Sequence, residues 1–584
     1  MLRILFAIGC IIGIPNATQA IQPDEHVDNF RLLDQSGASH ELHYFSDAKA
    51  IVLMVHGAGC PIVRQSLPEL ANVRKQFAAQ GVEFLLINSN PQDDRAALAQ
   101  EAAEFGIDLP ILRDETQLVG EALGVTRTAD VFVIDPRTWK LAYRGPIDDR
   151  LSLGAQKSAA QHRYLADALT AVLANKAVTV KQAEAVGCIV NLTERGRKAE
   201  HEKISYVEQI APLLQQKCVA CHRPGGIGPW AMTSYENVRG FAPMIREVIR
   251  TKRMPPWYAD PHFGNFIGDR SISIEQAQTL VHWIEAGAPR GMGDDPLAKV
   301  EPLSTKWVLG EPDMVVEIPA FEVPATGVVD YKYPRVANPL DRDVWVRAIQ
   351  ILPGNPAVVH HVLTGVDDSE NNGRTGIEQL AAFGGYSPGR NFLAFPDGAG
   401  VLLRANAHLQ FQTHYTPNGK AVRDVTRVGY YLHKNPPKYE MRLQFLNSRS
   451  LRIPAGAQAH TESVAYTFRN NVLLYSLMPH AHLRGRAARF TAHYPDGREE
   501  TLLSVPKYDF NWQTVYQFQE PKIMPSGTRL VFDMTWDNSA RNPANPDPAR
   551  EVPWGDQTWD EMNAGWLRYR ELAPGENAAA MIKK

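Results

Sequence analysis

Cysteine is scarce in this chain: there are five among 584 residues, and none lies beyond Cys221. The C-terminal half therefore folds without disulfides, even in a compartment that would form them. No stretch after the first twenty residues approaches the ~20 consecutive apolar residues that a membrane-crossing helix needs, so no transmembrane segment is expected. An excess of positive charge is also missing, since 61 Lys and Arg face 64 Asp and Glu for a net charge of −3. That balance offers no basic face to nucleic acid. Repeats and low-complexity tracts are absent apart from the tail "PGENAAAMIKK". Glycine and proline, in contrast, are plentiful at 42 and 41, which favours β-rich, loop-rich architecture over helical bundles. The length exceeds what one hydrophobic core can organise, so several domains are expected.

The first twenty residues, "MLRILFAIGCIIGIPNATQA", combine Arg3, an apolar core and a small-residue end at Ala20. They read as a secretory signal peptide, which implies export to the periplasm or beyond. Cys10 would suit a lipoprotein signal, although the apolar stretch before it is short. Residues 21–193 alternate strand-like runs ("AIVLMVHGAG", "VEFLLINSN") with amphipathic helical ones ("PIVRQSLPELANVRKQFAAQG", "DDRAALAQEAAEFG"), the pattern of an α/β domain. Residues 200–293 lose the strand signal and read as helical, with Ser273 a candidate cap and Gly287 near a helix end. From residue 305 short strands recur between turn sequences such as "PNGK", "PDGR" and "MPSGT". Two tandem antiparallel β-sandwiches, 305–440 and 441–575, account for that length.

Cys218-Val-Ala-Cys221-His222 is the strongest local signal. C-x-x-C-H reads as covalent haem c attachment through both thiols, with His222 an axial iron ligand. A zinc site would want a second ligand pair of matching spacing, and a redox dithiol would follow a strand rather than a helix. The segment resembles the cytochrome c family, which implies an all-α domain with a methionine presented by a Pro-rich loop. "TKRMPPWYADP" points to Met254 as the second axial ligand. Met244 and Met292 are rivals, with Met244 expected in a core, and His262 is a weaker one.

Residues 21–193 resemble the thioredoxin and peroxiredoxin superfamily through "GAGCPIVRQSLPEL" and "TRTADVFVIDP". The resemblance places Cys60 at a helix N-terminus, where a thiol pKa falls. Val63 takes the position of the second thiol of C-x-x-C, Ala129 replaces the usual cis-proline, and no P-x-x-x-T-x-x-C is present. A classical dithiol reductase is therefore not expected. Cys188 is the remaining thiol and is expected to pair with Cys60, as a staple or as a resolving thiol.

Histidine spacing carries the rest. "VLLYSLMPHAHLRG" places Met478, His480 and His482 at one parity, ~7 Å apart along one side of a strand. "PAVVHHVLTG" supplies His360 and His361, "LQFQTHYTPNG" His414, and "GDQTWDEMNAGW" Met562. Neighbours on a regular strand face opposite ways, so His360 and His361 share a metal only where the backbone is irregular. His408 lies ~20 Å along the strand from His414 and reads as structural. Met478 and Met534 are thioethers competing with Met562, and Met478 is expected to pack. A His₃-water zinc hydrolase is the main competing metal reading.

In order, these motifs resemble the copper type II ascorbate-dependent monooxygenases, the family of peptidylglycine α-hydroxylating and dopamine β-monooxygenases. The resemblance implies two copper ions: an electron-transfer copper on His360, His361 and His414, and an oxygen-binding, catalytic copper on His480, His482 and Met562. A thioether suits soft Cu(I), the state that meets O₂. The implied reaction hydroxylates a substrate C–H bond, with the haem c as an electron relay. The expected partners are O₂, a small-molecule or peptide substrate, and an external donor, ascorbate-like or a redox protein. A periplasmic electron-transfer or copper-handling protein is the alternative.

Overall fold

In the computed structural model of this chain the described residues are 21–152, 154–367 and 380–576. The signal-peptide reading of residues 1–20, with Cys10, lies outside them. Two units are distinguished: one built from residues up to Pro212 with Val238–Arg253 and Ile272–Asp295, the other from Leu213–Asn237, Met254–Ser271 and residues from Pro296 onward.

The first unit is organised by strands β1 (Arg31–Leu33), β2 (Ser39–Glu41), β3 (Ala50–Val55), β4 (Val82–Asn88), β5 (Ile111–Arg113), β6 (Val131–Asp135) and β7 (Lys140–Gly145). They form one mixed sheet in the order β2-β1-β5-β4-β3-β6-β7. β3 is central and parallel to β4, and all six of its residues are buried. A strand covered on both faces reads as an unbroken apolar run, which explains "AIVLMV". Helix α1 (Pro61–Phe77) starts with proline in its first turn and Cys60 at its N-cap, where proline's missing N–H costs nothing. Helix α2 (Arg95–Phe105) is capped by Asp94, whose carboxylate accepts the Ala97 N–H at 2.8 Å, and ends at Gly106 with φ 62°. α3 (Leu118–Ala122) and α4 (Tyr164–Leu173) complete this part.

Residues 200–293 are helical, but they do not form a separate all-α body. After α5 (Lys198–His201) and a π-helical turn at Tyr206–Ile210 come α6 (Ala211–Lys217), α7 (Tyr235–Gly240), α8 (Ala242–Arg250) and α9 (Ile274–Glu285). α8 and α9 belong to the first unit. Arg250 there donates to Asp28 at 2.8 Å and to Glu285 at 2.5 Å, His282 meets Glu121 at 2.7 Å, and the Gln278 amide donates to the Thr116 carbonyl at 2.9 Å. Cys218, Cys221, His222 and Met254 belong to the second unit instead. The loop after Met254 is tied there by Ile267 N–H to the Gln517 carbonyl at 2.7 Å and Asp260 N–H to the Ser504 carbonyl at 2.8 Å.

The second unit is β-rich. Strands Val344–Leu352 and Arg427–Leu432 lie centrally in one sheet; Val359–Asp367 and His408–Tyr415 lie centrally in a second. Val346, Ile349, Val362, Phe411 and Tyr430, drawn from both sheets, share one core. Two further four-stranded sheets follow, one containing Val472–His480 beside Ala564–Glu571, the other Gly485–His493 beside Arg529–Trp536. Leu474, Leu477, Phe490, Phe532 and Leu567 fill the core shared by these two. The "PDGR" turn joins Gly485–His493 to Glu499–Val505 with Gly497 at φ 87°, a conformation that favours glycine.

Candidate functional site

A β-bulge decides the first histidine group. Strand Val359–Asp367 pairs antiparallel with His408–Tyr415, and the register shifts between Val359 and His361. The extra residue turns His360 to the side that His361 faces, which a regular pleat forbids. His361 then pairs directly with His414. One ligand atom from each of His360, His361 and His414 lies within 4.8 Å of the others. All three rings are buried, and each Nδ1 lacks a hydrogen-bond partner. Orphaned buried nitrogens are costly, and three gathered imidazoles suit a soft or borderline cation. Gln412 Oε1 lies 3.3 Å from His361 Nε2 and its amide donates to the Tyr333 hydroxyl at 3.1 Å, orienting the ring from behind. His408 begins the strand that His414 nearly ends.

His480 closes strand Val472–His480, and its ring centroid is 5.2 Å from that of His482. Both Nδ1 atoms are engaged: His480 with Gln513 Oε1 at 2.8 Å, His482 with the Asp560 carbonyl at 3.2 Å. Both Nε2 atoms are therefore the ones available to a ligand. Met478 pairs with Trp566 and His480 with Ala564, the last pair of that ladder; His482 and Met562 each lie two residues beyond it. Met562 and Met478 are buried in one apolar cluster with Trp566, while Met534 is in the core of the last sheets. Glu561 was not singled out in the sequence. It accepts the His482 N–H at 2.7 Å, the Arg484 N–H at 2.6 Å and the Trp536 indole N–H at 3.2 Å, fixing the "HAHLR" backbone. Tyr331 stands between the two groups, 5.0 Å from His414 and 6.4 Å from His482 by ring centroids, and its hydroxyl accepts from Gln513 at 2.5 Å.

Burial holds these imidazoles neutral. It pushes His360 and His480 down to about 4 and His414 and His482 down to about 3, with His361 well below its ordinary value. An unfolded chain takes up protons near pH 6.5 that the folded one refuses, so stability falls as pH drops from ~6.5 towards ~4. Metal-stripped protein is expected to melt at a clearly lower temperature at about pH 5 than at about pH 7.5. Calorimetry showing equal melting points would mean that the rings protonate freely in the fold.

Around Cys218-x-x-Cys221-His222, the His222 Nδ1 lies 3.0 Å from the Trp230 carbonyl, leaving Nε2 for a ligand. A Cβ on Gly228 would stand 2.7 Å from that Nδ1, so the backbone closes directly on the ring. Burial raises both thiols, Cys218 to about 12. Met254 begins the second-unit loop Met254–Ser271. Met244, expected in a core, is instead 49% exposed on α8, and Met292 is 89% exposed. His262 Nδ1 is held by Asp260 at 2.7 Å.

In the first unit Cys60 Sγ lies 2.9 Å from Cys188 Sγ. The partner absent from C-x-x-C is thus supplied from 128 positions away. Thr128, unmarked in the sequence, assembles the pair: its hydroxyl is 3.1 Å from Cys60 Sγ and accepts the Cys188 N–H at 2.9 Å, and its N–H donates to the Cys188 carbonyl at 2.9 Å. Ala129, which follows it, has φ 59°. Burial pushes the Cys60 thiol up, but hydrogen bonds from Cys188 and Thr128 bring it below its ordinary value. Cys188 moves up because it serves the Cys60 sulfur and is partly desolvated. Arg64 and Glu101 pair at 2.7 Å nearby, with Glu101 also accepting the Gly59 N–H. Elsewhere in this unit His201 and His282 stack at 4.1 Å, each against a carboxylate, Glu194 at 3.0 Å and Glu121 at 2.7 Å.

Residues 23–143 match the AhpC/TSA family. The thiol-disulfide oxidoreductase ResA of Bacillus subtilis (strain 168) is 28% identical over 139 residues, 23% of this chain and 76% of ResA. ResA of Geobacillus thermodenitrificans is 27% identical over 137 residues, 23% of this chain and 77% of its own. Among solved structures, a hypothetical protein from Sinorhizobium meliloti 1021 is 30% identical with a TM-score of 0.27, covering 30% of this chain and 97% of that one. A putative thiol:disulfide interchange protein DsbE from Chlorobium tepidum is 18% identical with a TM-score of 0.20, covering 21% and 85%. The N-terminal domain is an AhpC/TSA thioredoxin-like domain, with the Cys60–Cys188 thiol pair within it.

Proposed function

We propose that the protein is an exported copper- and haem-containing oxidoreductase, an O₂-dependent monooxygenase that hydroxylates a substrate C–H bond. The observation that carries this reading is the buried gathering of His360, His361 and His414, one ring nitrogen of each within 4.8 Å of the others, with the His480–His482 pair beyond Tyr331. When bound, copper supplies one-electron redox and dioxygen chemistry, and a haem c supplies an electron store. One oxygen atom enters the C–H bond and the other leaves as water, with two electrons and two protons from an external donor.

The chain's own groups prepare each site. His360, His361 and His414 offer a neutral, dry ligand set that burial keeps deprotonated. Gln513 and the Asp560 carbonyl fix the tautomers of His480 and His482 so that Nε2 faces outward. Glu561 positions the His482 backbone, and Met562, the next residue, is the thioether proposed to join the pair. Cys218 and Cys221 are protonated thiols able to add to haem vinyl groups. The Trp230 carbonyl orients His222, which with Met254 would hold the iron of a bound haem.

A second reading, a periplasmic electron-transfer or copper-handling protein without oxygenase activity, draws on the Cys60–Cys188 pair. Element analysis of haem-matured protein, with oxygen consumption in the presence of reductant, separates the two. The monooxygenase reading expects two copper ions and one haem iron per chain. It also expects oxygen uptake that depends on added substrate. Full metal loading with no uptake across a broad substrate panel would favour the second reading, and a chain that retains no copper would end the monooxygenase reading.

A further inference from the structure

A cavity of about 420 Å³ lies within the second unit, reaching from His360 and His361 to Arg270. Trp512 and Trp566 line its apolar part. Three arginines, Arg270, Arg390 and Arg568, also line it. Their partners are neutral. Arg568 donates to the carbonyls of Ala382 at 2.8 Å and Ala381 at 2.5 Å. Arg390 donates to the Val515 carbonyl at 3.1 Å and to Gln517 Oε1 at 2.5 Å. Arg270 donates to the Pro388 carbonyl at 2.9 Å and reaches Cys221 Sγ at 3.9 Å. No carboxylate among the described residues forms an ion pair with any of the three.

Buried charges without counter-ions are expensive, and here like charges stand close together. Burial, and then the neighbouring Arg390, push Arg568 down to about 10; burial, and then Arg270, lower Arg390. Two desolvated guanidiniums, Arg390 and Arg568, with half-buried Arg270 beside them along a partly aromatic cavity, are complementary to an anion with an apolar body. The planar fork suits a carboxylate best.

We infer that this cavity binds a carboxylate-bearing ligand, its carboxylate met by Arg390 and Arg568 and its apolar body lodged against Trp512 and Trp566. The carboxylate has two sources. It is a propionate of a haem carried on Cys218 and Cys221, which Arg270's approach to Cys221 favours, or it belongs to a separate small molecule. The first source rests on the proposed haem attachment; the second does not.

Calorimetric titration of the full chain with benzoate and with its uncharged analogue benzamide tests this. Protein made without haem maturation is expected to bind benzoate about tenfold or more tightly than benzamide, the difference a charge-assisted pair supplies. R390Q and R568Q are each expected to remove most of that preference and leave benzamide unchanged. In haem-matured protein, loss of benzoate binding assigns the arginines to a propionate, whereas its retention assigns them to a separate carboxylate. Equal affinity for the two probes in unmatured wild-type protein, or binding of neither, overturns the inference without recourse to any variant.

Discussion

Replacing His480 by Ala is expected to reduce substrate-dependent oxygen uptake to background while one copper per chain remains. The His360, His361 and His414 group is built on different strands and shares no ligand with the His480–His482 pair, so emptying one should leave the other loaded. Replacing Gln513 by Leu should do something different. Both Nε2 atoms would remain, but His480 would lose the acceptor at 2.8 Å that fixes its tautomer. Copper affinity at that pair is then expected to fall by about 10- to 100-fold, the usual effect of losing an outer-shell partner. Element analysis at graded chelator concentrations reads both variants. If H480A emptied both groups together, the division into two independent sites would be wrong; if Q513L matched H480A at every chelator concentration, Gln513 would not act as an outer-shell partner of His480.

Oxidation of the thioredoxin-like domain is expected to join Cys60 to Cys188 and to stabilise that domain substantially. The two sulfurs are already in contact at 2.9 Å and are 128 positions apart in sequence, so the bond would close a long loop. In the chain-entropy account such a loop is worth ~4–5 kcal/mol. Denaturant titrations of oxidised and reduced protein should differ by an amount of that order, and C188S should abolish the difference. Cys188 is exposed while Cys60 is buried, so an external thiol is expected to attack Cys188 first. Finding both thiols free to alkylation after mild oxidation would exclude the bond.

Much of the architecture was legible because it is written in period and punctuation. "AIVLMV" announces a strand covered on both faces, and Asp94 and Gly106 bracket a helix. The short spacing of His480 and His482 already brought the two rings near each other, 5.2 Å apart by centroid, although the strand itself ends at His480. What was hidden depends on contacts between distant segments. Thr128 and Arg568 have ordinary sequence surroundings, and each matters through a partner 60 or more residues away, at Cys188 and Ala382; Gln513 matters through His480 and Tyr331, and Glu561 through His482 and Arg484. The helices of residues 200–293 were readable, but their allegiance was not. Arg250 and His282 look like surface residues of a small helical domain until Asp28 and Glu121 are found against them. Met244 misled for a related reason: apolar spacing on α8 suggested a core, yet the side chain lies on the helix's open side.

The register shift between Val359 and His361 has a consequence for how this chain tolerates change. It makes the spacing of three consecutive residues, rather than the chemistry of their neighbours, the quantity under constraint. Deleting one residue there would restore an ordinary pleat and swing His360 to the opposite face, dispersing the trio although every histidine was retained. Divergent descendants could therefore exchange the flanking valines for other β-branched residues freely, but they could not shorten or lengthen this strand by a single position.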